Sequence, residues 1–229
     1  KIGIKFIYGD LINKKTLNQI HDKIDVIIHL ASTTNAEQSF KNKKEIYSNN
    51  YGIFKKILEF SIKKRSRLIH LSSTSVYGPQ KSIVDETSNN LNPKSPYADV
   101  KLLEEKLLKK NNKKLKFVTF RFGTITGFSQ GMRFHTAVNK FCYQASLGQP
   151  LTVWKQNYHQ YRPYLGIRDC IEALRFIMKN SDSSETYNVV SDNYKLSEVI
   201  EFIRSIRSVK LNKIDPDFWG GESKVKLKI

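Results

Sequence analysis

Short apolar runs alternate with longer amphipathic segments along the first half of the chain. The apolar runs are IGIKFIYG, DVIIHLAS, RLIHLSS and KFVTFRFG. Helical spacing of apolar residues covers 13–22, 41–64 and 96–111. Strands that alternate with helices indicate a parallel sheet that is covered on both faces. The pattern therefore predicts a doubly wound α/β core.

The pattern changes after Arg121. We predict a Gly/Thr-rich turn at GTITGFSQG and strands at LTVW and TYNVV. Helices are predicted over 134–147, 168–179 and 196–207. The segment 209–229 gives no clear pattern.

The composition fits one large domain or a domain with a smaller lobe, because 229 residues at 39% hydrophobic can bury a proper core. No apolar run reaches the roughly 18 residues of a membrane span, and the N-terminus lacks the apolar stretch of a signal peptide. We therefore expect a cytoplasmic protein. Only Cys142 and Cys170 are present, so we expect buried free thiols, with neither a disulfide framework nor a metal site.

The net charge of +18 raises the question of nucleic-acid binding. The lysines, however, are scattered over predicted helix surfaces, at 55, 56, 63, 64, 106, 109 and 110. This scatter favours a compositional bias over a basic patch, so nucleic acid is not the expected partner. A basic RNA-binding or scaffold module without catalysis stays open as an alternative.

The stretch SPYADVKLLEEKLLKK places Tyr97 and Lys101 four residues apart at the start of a predicted helix. Residues at this spacing share a helix face, so the ammonium can favour ionisation of the phenol. Tyr97 would then be a usable proton shuttle near neutral pH. In isolation, the same spacing equally fits a packed tyrosine and a solvated lysine.

Three motifs in order resolve part of this ambiguity: SSTSVYG, then Tyr97-x-x-x-Lys101, then RFGTITG. Together they resemble the extended short-chain dehydrogenase/reductase family, and specifically its nucleotide-sugar epimerases and dehydratases. The resemblance runs from about Gly9 to about Ile203. It implies a Rossmann-like fold, a nucleotide-sugar substrate and an NAD cofactor, with NADP not excluded.

The resemblance also implies roles for single residues. Ser73 would hydrogen-bond the sugar hydroxyl, Tyr97 would take its proton, and Lys101 would hold the nicotinamide ribose and lower the pKa of Tyr97. Ser73 could equally cap the end of a strand. Further cofactor-binding positions by resemblance are Asp10 and Leu11 at the adenine, the turn of Leu30, Ala31 and Ser32, and Asn49 in the following helix. Asp10 could instead begin a turn, and Asn49 could make a capping or core hydrogen bond.

On the substrate side, the resemblance assigns Asn139 and Arg162 to the diphosphate, because a guanidinium fork suits phosphate oxygens. Trp154 would lie near the base or fill the core, and Arg133 is a further candidate. Thr74 and Thr124 are expected near the sugar; Thr124 stands where many relatives have an asparagine.

The chain departs from the family at its beginning. The glycine-rich GxxGxxG turn that cradles pyrophosphate is absent, and the first strand, IGIKFIYG, matches the family's third. We expect the N-terminal strand-turn-helix with the glycine loop to be missing. The expected domains are a truncated cofactor-binding core over 1–123, to which 163–190 returns, and a substrate-binding lobe over 124–162 and 191–229.

The residues after Ser73 discriminate among reactions in this family. Dehydratases of this pattern carry an Asp-Glu pair there, whereas this chain has Thr74 and Ser75, whose hydroxyls are poor acids and bases. We therefore favour a C4 epimerase of a nucleotide hexose, with a dehydratase or 4-ketoreductase as the alternative. Relatives also imply a homodimer, formed here through helices 41–64 and 96–111.

Overall fold

Helices and strands alternate along the chain much as the hydrophobic pattern predicts. The computed structural model describes residues 3–34, 36–180 and 184–215. The helices are α1 (Lys14–Asn18), α2 (Ala36–Lys41), α3 (Lys43–Ile46), α4 (Gly52–Lys64), α5 (Pro96–Lys110), α6 (Ala137–Ser146), α7 (Ile167–Asn180) and α8 (Leu196–Ile206). The strands are β1 (Val26–His29), β2 (Arg67–Ser73), β3 (Phe117–Phe122), β4 (Thr124–Thr126), β5 (Leu151–Trp154), β6 (Tyr161–Gly166), β7 (Glu185–Val189), β8 (Asp192–Lys195) and β9 (Leu211–Ile214). A π-helical turn (Tyr47–Tyr51) joins α3 to α4.

The chain forms two compact units. The first unit comprises the described residues of 1–72, 95–120 and 182–186, and the second those of 73–94, 121–181 and 187–229. A four-stranded sheet has the order β1-β2-β3-β7, with β1 and β2 parallel and His29 opposite His70. The core of the first unit consists of apolar residues from α1, α4, β2, α5, the segment after α5 and the start of β3: Leu17, Ile53, Phe54, Ile57, Leu58, Leu68, Leu108, Leu115 and Phe117.

The second unit contains two further small sheets. In one, β6 pairs in parallel with β4 and antiparallel with β8; in the other, β5 pairs in parallel with β9. Its core is built from α6, β5, α8 and the segment that follows α8: Phe141, Ala145, Leu151, Val153, Leu196, Ile200, Ile203 and Val209. Within the described residues, no helix has the length and apolarity to cross a membrane.

Three expectations about local structure are wrong. IGIKFIYG does not form a strand over its described residues, and Ile4, Phe6 and Tyr8 are 86%, 83% and 89% exposed. A strand needs a neighbour to accept its backbone hydrogen bonds, and the first strand of the described sheet, β1, pairs only with β2 there. The predicted turn at GTITG contains β4, because Gly123 lets the chain approach β6 closely: a Cβ there would lie 3.0 Å from the carbonyl oxygen of Pro163. Of the two cysteines, Cys170 is buried but Cys142 is exposed.

Candidate active site

The site begins at the N-terminus of α5. Ser95 caps this helix by accepting a hydrogen bond from the backbone N–H of Ala98 at 3.2 Å, and Pro96 occupies the first turn. Tyr97 therefore lies in the first turn and is partly exposed. Because a helix N-terminus carries positive partial charge, this position favours a tyrosine that becomes an anion.

Lys101 lies one turn further along α5 and is almost completely buried, with 2% of its surface exposed. Its Nζ is 5.9 Å from the centre of the Tyr97 ring, so the structure brings the predicted pair together. The same Nζ donates a hydrogen bond of 2.9 Å to Oε2 of Glu104, which is fully buried. The sequence analysis missed Glu104, although its i,i+3 spacing from Lys101 was a usable signal.

Two buried histidines complete this cluster. Nε2 of His70 lies 3.5 Å from Oε2 of Glu104, and His29 sits opposite His70 on the neighbouring strand. Burial, with a smaller contribution from the charge of Lys101, lowers the pKa of His29 to about 4. The same causes, with His29 adding to them, lower the pKa of His70 well below its usual value. Both imidazoles are therefore neutral at pH 7, and the carboxyl group of Glu104 is the acidic group of this cluster that contacts Lys101.

The charge of Glu104 reflects two opposing effects. Burial raises the pKa of its carboxyl group, whereas the Lys101 ammonium and the hydrogen bond from it lower that pKa. Burying an ammonium group without a counter-charge costs free energy. The 2.9 Å contact with Glu104 is the arrangement expected of an ion pair that lowers this cost. The neighbouring Glu105 has a different partner, the hydroxyl of Ser72, which donates to it at 2.6 Å and ties α5 to β2.

The loop after β1 holds three of the predicted cofactor-binding residues. Leu30 is 67% exposed, and Ala31 and Ser32 are partly buried. Within the described part of the chain, the buried Oγ of Ser32 has no hydrogen-bond partner. A small residue followed by an unsatisfied hydroxyl suits the close approach of a polar ligand.

Asn50 anchors this loop. Its Oδ1 accepts from the backbone N–H of Thr33 at 2.8 Å, and its Nδ2 donates to the carbonyl of Thr33 at 2.9 Å. Asn49 makes a longer bond, 3.2 Å from its Nδ2 to Oγ1 of Thr33. The π-helical turn adds a residue to the helical repeat and so turns Asn50 inward. Sequence reasoning named Asn49 and missed Asn50, and a cofactor role for Asn49 stays a prediction.

Asp10 and Leu11 lie just before α1. The carboxylate of Asp10 accepts from the N–H of Ile12 at 2.9 Å, and its carbonyl accepts from the hydroxyl of Thr16 at 2.7 Å. Leu11 packs against the core of the first unit. Both therefore have a local structural function, and their contact with an adenine stays a prediction.

Ser73 belongs to the second unit, where it caps the 3-10 turn Thr74–Tyr77. Its Oγ accepts from the N–H of Ser75 at 3.2 Å and from the hydroxyl of Ser75 at 2.9 Å. Ser73 therefore has the geometry of a capping residue. Because its oxygen only accepts in these two hydrogen bonds, its own hydroxyl proton can be donated to another group. Thr74 is buried, with 6% exposed.

The predicted diphosphate ligand Asn139 lies on α6 and is buried. Its Oδ1 accepts from the hydroxyl of Thr126 and the N–H of Gly127, both at 3.2 Å. Its Nδ2 donates to the carbonyl of Arg133 at 3.1 Å. The amide thus joins α6 to the end of β4, while the side chain of Arg133 is exposed.

Two other substrate-side candidates, Thr124 and Arg162, lie on the neighbouring strands β4 and β6. Thr124 on β4 is opposite Tyr164 on β6, and Arg162 precedes Tyr164 by two residues. Nη2 of Arg162 donates to Gln160 at 3.4 Å, and burial lowers the pKa of this guanidinium, with Tyr164 opposing the shift. Trp154 is half-buried at the end of β5.

A buried polar network in the second unit escaped the sequence analysis. Arg121, 2% exposed, donates from Nη1 to the hydroxyl of Tyr77 at 2.8 Å. The Tyr77 oxygen also lies 2.9 Å from Oδ1 of Asn188 and 3.0 Å from the carbonyl of Asp85. This network orders the loop that follows the 3-10 turn.

Comparison with known proteins shows the family to which the chain belongs. The sequence model of the NAD dependent epimerase/dehydratase family matches residues 1–190, and the chain belongs to that family. A trifunctional UDP-glucose 4,6-dehydratase/3,5-epimerase/reductase of Arabidopsis thaliana is 28% identical over 224 residues, which cover 94% of this chain and 33% of that protein. UDP-glucose 4-epimerase of Lactobacillus helveticus is 23% identical over 230 residues, covering 90% of this chain and 69% of that one.

The same fold is found among solved structures. The crystal structure of Thermus thermophilus UDP-glucose 4-epimerase in complex with NAD superimposes on this chain with a TM-score of 0.85 at 21% sequence identity. The superposition covers 99% of this chain and 76% of the Thermus chain. This shows a Rossmann-like fold. The chain spans about a third of the Arabidopsis relative and 47% of a Dictyostelium discoideum dTDP-D-glucose 4,6-dehydratase.

Proposed function

We propose that the protein is a nucleotide-sugar epimerase that acts at C4 of a nucleotide hexose by transient hydride transfer to tightly bound NAD. The observation that carries this proposal is the contact of Lys101 with Tyr97 at the N-terminus of α5. Membership of the NAD dependent epimerase/dehydratase family supports it.

The described residues fit such a cofactor on two observations. The loop of Leu30, Ala31 and Ser32 presents a small residue and an unsatisfied hydroxyl, and Asn50 fixes the backbone of this loop. We propose that this loop and Lys101 hold NAD, with Asp10, Leu11 and Asn49 as further contacts. NADP stays open.

Bound NAD would supply a reversible acceptor for the hydride on the alcohol carbon. Loss of that hydride requires loss of the hydroxyl proton, and Tyr97 as the phenolate takes it. The positive end of α5 and the ammonium of Lys101 stabilise that phenolate. Ser73 would hydrogen-bond the same hydroxyl. Tyr97 would also return the proton to the oxygen when the keto-sugar is reduced to the epimeric alcohol.

The substrate would be held by the second unit. We propose that Arg162 and Arg133 bind the diphosphate, that Asn139 orders the β4–α6 segment around it, and that Trp154 contacts the base. Thr74 and Thr124 would lie near the sugar. In this proposal the cofactor core comprises 1–123 and 163–190, and the substrate lobe comprises 124–162 and 191–229.

An epimerase is favoured over a dehydratase by Thr74 and Ser75. The Ser75 hydroxyl is engaged with Ser73, and neither residue offers the acid and base that elimination of water requires. A dehydratase or 4-ketoreductase is the second candidate, because several relatives are 4,6-dehydratases. The basic scaffold alternative is disfavoured, because the exposed lysines are distributed along α4 and α5.

Two further proposals concern the protein's setting. We propose a cytoplasmic homodimer whose interface uses helices 41–64 and 96–111. Size-exclusion chromatography with light scattering tests the dimer.

Product analysis tests the proposed reaction. The protein is incubated with NAD and a set of UDP- and dTDP-hexoses, and the products are separated by chromatography. We expect the C4 epimer without a 4-keto-6-deoxy sugar. Accumulation of the 4-keto-6-deoxy sugar would show that the protein is a dehydratase and not an epimerase.

A further inference from the structure

The buried carboxylate of Glu104 is not needed by the proposed chemistry, yet it makes the closest polar contact of Lys101 given by the structure. Its Oε2 lies 2.9 Å from Nζ, whereas the centre of the Tyr97 ring lies 5.9 Å away. Both members of this ion pair are buried, so little solvent screens it. The ammonium is therefore held by a carboxylate on its own helix.

We propose that Glu104 is a positioning residue, whose buried carboxylate holds the Lys101 ammonium and partly cancels its field at the Tyr97 phenol. The inference rests on the proposed function, because it takes Tyr97 as the acid-base group. Lys101 and Glu104 together form a nearly neutral pair. A neutral pair activates the phenol less than a lone ammonium would.

The surrounding groups leave Glu104 as the principal counter-charge. His29 on β1 and His70 on β2 are neutral at pH 7, and His70 contacts the same Oε2 at 3.5 Å. On α5, Glu105 is bound to Ser72. Asp99, also on α5, accepts a hydrogen bond from the hydroxyl of Tyr47 in the π-helical turn at 3.4 Å. Neither of these carboxylates has Lys101 as its described hydrogen-bond partner.

The size of the effect follows from helix geometry. Tyr97 and Glu104 are seven residues apart, about 10 Å along the helix and on the same face. One unit charge at about 10 Å, with an effective dielectric constant of about 20, changes a pKa by about one unit, or tenfold in the ionisation constant. The Glu104→Gln variant should lower the pKa of Tyr97 by about that amount, and by more if the freed ammonium moves toward the phenol.

The pKa of Tyr97 can be measured without substrate or cofactor. Tyrosine carrying ¹³C at Cζ is incorporated, the Tyr97 signal is assigned by its loss in Tyr97→Phe, and its shift is followed against pH. Glu105→Gln is the matched control, since it removes the adjacent buried carboxylate and leaves the Lys101–Glu104 contact intact. Because Glu105 lies further from Tyr97 along the helix and does not hold the Lys101 ammonium, we expect its shift to be smaller than that of E104Q. An unchanged pKa in E104Q, or an equal shift in E105Q, would overturn the positioning role.

A double variant keeps the inference testable if E104Q does not fold. Lys101→Met with Glu104→Gln replaces a buried ion pair by neutral groups, a change that proteins often tolerate. If Glu104 partly cancels the field of Lys101, whose ammonium is nearer to the phenol, the Tyr97 pKa in this variant rises by about one unit. A rise of about two units, the effect expected of the ammonium alone, would contradict the cancellation.

The proposed function and the positioning role of Glu104 can be rejected independently, because C4 epimerisation by the wild-type protein is assayed separately. A pKa shift in E104Q without wild-type turnover would reject the function and retain the inference. Epimerisation by the wild-type protein, with an unchanged Tyr97 pKa in E104Q, would retain the proposed function and reject the positioning role of Glu104.

Discussion

The buried imidazole of His29 predicts a loss of stability in mild acid. Its folded pKa is about 4, against 6.5 for an ordinary histidine, so the unfolded chain binds more protons than the folded one between these values. The stabilisation is complete above pH 6.5 and is lost as the pH falls toward 4. Replacing His29 by phenylalanine, which keeps a ring against Phe54, should remove this part of the pH dependence.

The magnitude follows from the two pKa values. Each unit of pKa difference corresponds to 1.36 kcal/mol, and integration of the proton uptake between pH 7 and pH 5 gives about 2 kcal/mol for His29 alone. Urea denaturation at several pH values measures the free energy of unfolding. The wild-type protein should therefore lose about 2 kcal/mol more than His29→Phe over this range. The quantity to compare is the change in the free energy of unfolding with pH, and not the free energy of unfolding at a single pH.

Other titrating groups are common to both proteins and cancel in the comparison, apart from the smallest of the three causes that lower the pKa of His70, which is His29 itself. His70 acts in the same direction as His29, because its pKa is also lowered. Glu104 acts in the opposite direction, because burial raises the pKa of its carboxyl group in the folded protein. The stabilisation that this group contributes is therefore lost as the pH rises through its folded pKa. His21→Asn, which removes an exposed imidazole, is the control for the loss of one histidine. Parallel slopes for wild type and His29→Phe would refute the reasoning.

Four further substitutions test other parts of the account. Tyr97→Phe should preserve the urea midpoint but lower turnover about 100-fold or more, the scale of a lost general acid-base group, and equal activity would exclude Tyr97 from the mechanism. Asn50→Ala should cost about 2 kcal/mol in urea denaturation, because it removes two hydrogen bonds to Thr33 at a buried position, whereas Asn49→Ala should cost under about 1 kcal/mol; the reverse order would refute the π-helical register. Tyr77→Phe should cost about 1–3 kcal/mol, because it deprives the buried Arg121 of a hydrogen-bond acceptor, and a change below about 0.5 kcal/mol would show that this network is dispensable.

Periodicity identified most of the fold because long amphipathic segments and short apolar runs are strong signals. The strands RLIHLSS and LTVW have the predicted bounds, and the helix predicted over 96–111 ends one residue earlier, at Lys110. Periodicity failed where pairing decides the structure. IGIKFIYG has the alternation of a strand without a described neighbour, and β4 forms inside a turn-like sequence because β6 lies beside it.

The candidate site was predictable to a different degree. The Tyr97 and Lys101 contact follows from helical spacing, which a sequence displays directly. The parts that were missed depend on tertiary contacts. His70 contacts Glu104 only through the packing of α5 on β2, and His29 lies opposite His70 only through strand register. Asn50 makes the shorter hydrogen bonds to Thr33, and Asn49 a longer one, because a π-helical turn shifts the helix face.

The path of the hydride tests the central claim most directly. A nucleotide hexose that carries deuterium on C4 is incubated with the protein and NAD, and the product is examined by NMR and mass spectrometry. An epimerase removes the deuteride from C4 and returns it to C4 from the other face, so we predict a C4 epimer that keeps its deuterium at C4. Deuterium at C6 of a 4-keto-6-deoxy sugar would contradict the account, because it would show that water had been eliminated before the deuteride returned.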